Sequence, residues 1–328
     1  MTQSVPTKTM QRGNSARSVS AIPLRGWIDV LKRTWAQIQT DNVFLISAGV
    51  GFYFLLALAP ALTAFSAIAT LLLHPEAMRD LLEELARILP NSTVTLLTSQ
   101  LETVLRDQQQ ETALSIKAAS GLLLSFWAAA AAVRALMTAV TVAYRETEQR
   151  SFWQFHLTAL ALTLAALVIG LFAIVAFVLI PLALTILPFS GSNETLIRLI
   201  RWPVIIGAVM VGLTVTYRFG PSRRQAKARW VTTGALAASI LWLGGSLLFT
   251  TYVERLADYE AVHGALSSIV VLLLWFWFSA VVAILGAELN AELEHQTSVD
   301  TTIGKDRPMG QRGAYVADHV ARKQVPSS

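Results

Sequence analysis

The chain has 328 residues, 54% of them hydrophobic and 14% charged, with 26 Lys or Arg, 21 Asp or Glu and no cysteine. Soluble domains carry about 25% charged residues, so a large soluble catalytic domain is excluded. The absence of thiols excludes disulfides, thiolate zinc sites and cysteine nucleophiles.

Residues 1–23, rich in Ser, Thr, Arg and Gly, are expected to be disordered. They hold no long apolar run, so no cleavable signal peptide is expected ahead of the first span. Residues 24–41 place Trp27, Leu31, Trp35 and Ile38 on one helical face, with Arg25, Lys32 and Arg33 elsewhere. That pattern predicts an amphipathic helix lying on a membrane surface.

Six apolar segments follow, each of a length to cross a hydrocarbon core that needs about 20 residues. They run Asn42–Leu73, Ala113–Tyr144, Leu157–Leu187, Trp202–Tyr217, Trp230–Val253 and Gly264–Ala287. The second is interrupted by Lys117 and Arg134, and the fourth is the shortest. The expected fold class is all-α: an integral membrane bundle of six transmembrane helices, spanning residues 42–293, with amphipathic peripheral helices. Between the first two segments, residues 74–112 carry two apolar stripes separated by Pro90, read as two amphipathic helices on the outer rim. From residue 294 to 328 the chain is polar and is expected to be a flexible tail.

The bases orient the bundle. With the N-terminus inside, the internal pieces hold 18 Lys or Arg and the external loops 6. This positive-inside bias fits an even number of spans with both termini cytoplasmic. The loop Arg218–Arg229, which holds no acid, dominates it. A nucleic-acid patch is the sharper reading of that loop. Topology plus attraction to anionic lipid is the commoner one, so no nucleic-acid partner is expected.

Arg134 is the most unusual residue, because an arginine within a span is costly and faces a partner or water. Thr138, Thr141 and Arg145 follow on the same helical face. The stripe suggests a binding site for an anion or lipid headgroup at Arg134, Thr138 and Thr141; a structural arginine reaching for the interface is the alternative. Glu288, Glu292 and His295 stack at the end of the sixth segment. They could relay protons or hold an ion, although a solvated helix end is the commoner meaning. His263, in the short loop before that segment, is a further titratable candidate. Pro60, Pro181 and Pro203 can kink their helices. Ser47, Gly49, Gly51 and Gly244–Gly245 allow close helix packing. No phosphate loop, dinucleotide fingerprint, metalloprotease motif or nucleophile elbow occurs, so neither an enzyme nor a cofactor or metal is expected.

Four stretches resemble the YihY/BrkB family of bacterial inner-membrane proteins, once labelled ribonuclease BN. They are Ala48–Pro60, Tyr217–Arg224 followed by Gly234–Ala235, Tyr259–Gly264, and Gly286–Asn290. His263 departs from the aromatic residue expected before Gly264. The resemblance implies six spans, an inner-membrane location, cytoplasmic ends and no established activity. Some relatives are suspected of moving lipids or envelope precursors, so a transporter of such anionic cargo is the leading expectation. A non-transporting envelope scaffold is the rival, and a membrane-bound ribonuclease the weakest. Membrane lipids, a second copy of the chain and envelope proteins are the candidate partners.

Overall fold

A computed structural model describes residues 12–72, 116–186, 193–255 and 265–321. Among them the fold is all-helical. Helix α1 is Leu24–Thr40, and six long helices follow: α2 Val43–Leu72, α3 Ile116–Ala143, α4 Phe152–Ile186, α5 Asn193–Phe219, α6 Ala228–Arg255 and α7 Ala265–His295. A short helix, α8 Tyr315–Asp318, lies in the tail. Each of α2 to α7 contains a stretch long and apolar enough to cross a membrane. Helices α2 and α5 continue through Pro60 and Pro203. Helix α5 begins nine residues ahead of the apolar segment read from Trp202, because hydropathy registers only its apolar part. The loop 74–112 and His263 lie outside the described residues.

The chain divides into two compact units, one of residues 1–52, 135–155 and 213–328, the other of 53–134 and 156–212. The first holds the best-defined packing. Helices α6 and α7 form an antiparallel pair: Gly234 opposes Gly286 and Asn290 near one end, and Gly245 opposes Phe278 farther along. A methyl on Gly234 would collide with the Gly286 carbonyl, and one on Gly286 with Ala238 and the Tyr217 hydroxyl. Small residues therefore let the two backbones touch. Asn290 fastens the crossing by accepting from the Gly234 N–H at 2.7 Å and donating to the Val231 carbonyl at 2.9 Å. Tyr217 of α5 donates to the Ala283 carbonyl at 2.6 Å. Gly51 of α2 lies against the Trp277 backbone, whereas Gly49 and Gly244 have nothing within 4 Å among the described residues. Of the small residues read as packing positions, these two do not make a close approach.

Helix α1 packs on α7 mainly through a stripe beside its exposed aromatic one, and Trp27 also packs against the cluster of Val30, Trp230 and Leu293. Gly26, Val30, Thr34 and Ile38, spaced four apart, are buried, because this stripe of small and β-branched side chains permits close contact. Leu24, Ile28, Leu31 and Trp35 form a second stripe on the same helix and remain exposed. The turn to α2 is Asp41–Asn42. Asn42 takes φ 50°, a left-handed conformation asparagine tolerates, and its carbonyl receives the Leu45 and Ile46 N–H groups.

Where they are described, residues 12–23 and 294–321 are packed against the helices. Ala16, Val19 and Ile22 join Val30, Trp230 and Leu293 in one apolar cluster. The segment around Asn14 is hydrogen-bonded to the start of the tail: Ser298 N–H donates to the Asn14 carbonyl and the Thr297 hydroxyl to that of Ala16, each at 2.7 Å. Farther on, Thr302 bridges Ala226, and Arg312, 5% exposed, donates to the carbonyls of Arg307, Ala317 and Ser298. Hydrogen bonds hold this tail together with the burial of the small side chains Ala314, Val316 and Ala317.

Candidate functional site

The polar residues at the end of α7 are enclosed by protein. Glu288, Asn290, Glu292 and Glu294 are all 0% exposed, which corrects the reading of this stretch as a solvated helix end. The reason is tertiary: α1, the residues after α3, the loop after α5 and the tail all belong to the same unit and supply its partners. A buried carboxylate needs a cation or donor to offset desolvation, and two of the three acids have one.

Glu292 is gripped by two arginines. Arg33 Nε lies 2.5 Å from its Oε2, and Arg145 Nη2 bonds its Oε1. Arg33 also reaches Gln296, and Arg145 reaches Gln37 at 3.0 Å. His295 Nδ1 sits 3.3 Å from Arg145 Nη1 and 3.6 Å from Glu292; only the first distance is within hydrogen-bond range. Arg145 occupies a strained position. Helix α3 ends in a Schellman turn, with Glu146 N–H on the Thr141 carbonyl and Arg145 N–H on that of Val142. Arg145 is its left-handed residue at φ 57°, where glycine is usual. The geometry aims its guanidinium at Glu292.

Glu294 pairs with Arg223. Arg223 Nη2 lies 2.6 Å from Glu294 Oε1, the guanidinium stacks 4.1 Å from the Tyr144 ring centroid, and Thr301 donates to the other Glu294 oxygen at 2.7 Å. Burial alone would lower the Arg223 pKa, but Glu294 holds it above its ordinary value. Burial pushes the Tyr144 phenol up. The basic loop is thus largely engaged within the chain: Arg224 bonds the Ile303 carbonyl, and Lys227 bonds Asp306 and the Asp300 carbonyl, each at 2.9 Å. A sequence count of bases could not show this, because the acceptors lie about 75 residues away.

Beside this network is a cleft of about 510 Å³, lined by residues that include Glu146, Arg150, Ser222, Arg224, Tyr315 and Asp318. Burial raises the Glu146 pKa, opposed by the Tyr315 N–H that it accepts at 2.6 Å. Arg150 holds Glu148 below the usual carboxylate range through a two-pronged contact of 2.7 and 2.8 Å.

The Arg134 stripe is not one environment. Arg134 stacks over the Trp127 ring at 5.2 Å and donates to the Trp127 carbonyl at 3.5 Å, in a contact exposed to the surroundings. Trp127 also stacks on His156, centroids 5.1 Å apart. Thr138 is exposed, while Thr141 is buried with its hydroxyl on the Met137 carbonyl at 2.7 Å. Arg145 belongs to the Glu292 network. Pro181 lies within α4. Among the described residues, no group of three His, Asp or Glu is placed to hold a metal ion.

Sequence reasoning named Glu288, Glu292, His295 and Arg145, but not that they meet Arg33, Asp41 and Gln37. It also passed over Glu294 and Arg223 as a pair. The one available signal was an excess of acids on the last turns of an otherwise apolar helix.

Two of the four stretches of resemblance acquire a physical meaning here, since Tyr217, Gly234 and Gly286–Asn290 form the α5–α6–α7 crossing beside the buried acids; Tyr259–Gly264 lies outside the described residues. The chain matches the family model described as virulence factor BrkB over residues 34–310. It is 29% identical over 255 residues to the ribonuclease-like protein YfkH of Bacillus subtilis, covering 75% of this chain and 88% of that one. It is 24% identical over 283 residues to a UPF0761 membrane protein of Cronobacter sakazakii, covering 83% and 89%. No solved structure matches it. The protein belongs to the BrkB family of membrane proteins.

Proposed function

We propose that this protein translocates lipids or other anionic envelope precursors across a bacterial inner membrane, with both termini in the cytoplasm. The orientation follows from the three-to-one excess of bases on the internal pieces. The exposed stripe Leu24, Ile28, Leu31 and Trp35 then lies at the inner interface, where an apolar helix face inserts among headgroups.

The observation that carries the transport reading is Arg134. It lies nine residues before the end of α3, roughly 13 Å along the helix at 1.5 Å per residue. Its contact with Trp127 is exposed, and the half-buried guanidinium lies at a depth where a charge is expensive. A planar fork of donors suits a phosphate or carboxylate headgroup.

The ribonuclease wording attached to the relative from Bacillus subtilis finds little support in this chain. Such chemistry needs grouped acids or bases free to act, and Glu292 and Glu294 are occupied by arginines. Purified protein is expected to leave RNA intact.

The deciding experiment is movement of labelled anionic and zwitterionic lipids in proteoliposomes. The parent should move the anionic lipid faster than protein-free vesicles do. Arg134→Ala should lose most of that activity, and Arg134→Lys should keep part of it. No movement of either lipid by the parent would overturn this reading in favour of an envelope scaffold.

A further inference from the structure

Glu288 is the buried acid that the arginines leave out. It is 0% exposed, and among the described residues neither of its carboxyl oxygens has a hydrogen-bond partner of ordinary geometry. The group that faces it within hydrogen-bond reach is a second acid, Asp41. One Asp41 oxygen accepts from Gln37 Nε2 at 2.9 Å, while the other is buried and equally without a donor. Three acceptor oxygens therefore meet with no hydrogen between them. Two ionised carboxylates so placed repel, whereas one proton between them converts the contact into a hydrogen bond.

The surrounding charges point the same way. Glu292 faces Glu288 from its own helix and Arg145 from the end of α3, while Tyr144 lies close by. Arg33 of α1 and His295 of α7 stand behind Glu292. The two arginines balance the charges of Glu292 and Asp41. An ionised Glu288 would add a third negative charge with no cation left to offset it, and uncompensated buried charge is strongly disfavoured. Asp41 is half-buried beside the exposed Asn42, so the pair has a route to solvent at the α1–α2 turn. Two carboxyls without further ligands suit a proton better than a metal ion, which takes at least four ligands.

We propose that Asp41 and Glu288 form a proton-binding site, holding one exchangeable proton between their carboxyl groups and loading it from the α1 side of the membrane. A role for this proton in driving translocation rests on the transport reading above; the site itself does not.

Infrared difference spectroscopy of the full-length protein in lipid nanodiscs tests the site through the C=O stretch of a protonated carboxyl. The parent should show such a band at neutral pH. Glu288→Gln should remove it, and Asp41→Asn should remove or shift it, with helix content unchanged in both. No band in the parent, or a band unaltered in either variant, would overturn the site. Replacing choline by sodium at constant pH and ionic strength should leave the parent's thermal midpoint unchanged; a sodium-dependent rise would place a metal cation there instead. For the coupling role, an imposed pH gradient should speed lipid movement several-fold in the parent and leave Glu288→Gln unaffected. Equal responses would overturn coupling. A parent that shows the carboxyl band but moves no lipid would overturn the transport reading and the coupling together, leaving the proton site standing.

Discussion

Arg223 and Glu294 form an ion pair shielded from solvent on both sides, with side chains 1% and 0% exposed and a separation of 2.6 Å. The pair ties the loop after α5 to the end of α7, although 71 residues separate its members in sequence. Breaking a buried pair from one side leaves an uncompensated charge and costs about 3–5 kcal/mol. Replacing both partners by apolar groups of similar size costs far less. Arg223→Leu and Glu294→Leu should therefore each lower the thermal midpoint in detergent strongly, while the double variant recovers much of the loss. A double variant as unstable as the sum of the singles would show that the two residues are not energetically coupled.

The α6–α7 crossing separates the glycines by function. A methyl at Gly234 or Gly286 meets backbone that cannot rotate away, and overpacking of this kind costs about 1–3 kcal/mol. Gly234→Ala and Gly286→Ala should lower the unfolding midpoint, whereas Gly49→Ala and Gly244→Ala, which face open space, should be neutral or mildly stabilising. Circular dichroism melts of the four variants decide this directly.

Arg145 carries two opposed effects that substitution can separate. Its left-handed backbone favours glycine by roughly 1 kcal/mol, while its guanidinium neutralises Glu292. Arg145→Ala keeps the strain and loses the charge; Arg145→Gly loses both. Both variants should be less stable than the parent, with Arg145→Gly the better of the two in thermal unfolding. Equal stability of the two would mean that the turn relaxes without cost.

The tail should loosen in acid. Burial opposes ionisation of Asp300, but the N–H groups of Arg307 and Thr302 and the Thr302 hydroxyl hold its pKa below the ordinary carboxylate value. A folded pKa below the unfolded one gives stability that is full above the unfolded value, about 3.9, and is lost as pH falls through the folded one. Limited proteolysis beyond residue 296 should accelerate below about pH 4 in the parent. Asp300→Asn should be more sensitive than the parent at neutral pH and converge with it in acid.

Cysteines placed on α3 report on the surroundings of Arg134, in a chain that has none of its own. Thr138 is exposed and Thr141 is buried. Under the transport reading, Thr138→Cys reacts with a membrane-impermeant thiol reagent and Thr141→Cys does not. Protection of Thr138→Cys from both sides would remove a water-accessible path at that position.

By itself the sequence determined the number and rough limits of the spans, because a bilayer imposes a length of apolar residues that composition alone reveals. Small residues in apolar helices marked packing positions only in part: Gly51 and Gly245 do make close approaches, Gly49 and Gly244 do not, and Gly234, Gly286 and Asn290 stood out only through the family resemblance. Only the tertiary structure decided what the charged residues do. Glu288, Glu292 and Glu294 have the composition of a helix leaving the membrane, and the bases after α5 that of a lipid-facing loop. Which of them are paired depends on contacts with Arg33, Asp41, Arg145 and Arg223 from distant parts of the chain. Hydropathy is a local property and was legible. Charge compensation is a property of three-dimensional neighbours, and no pattern along the chain encodes it.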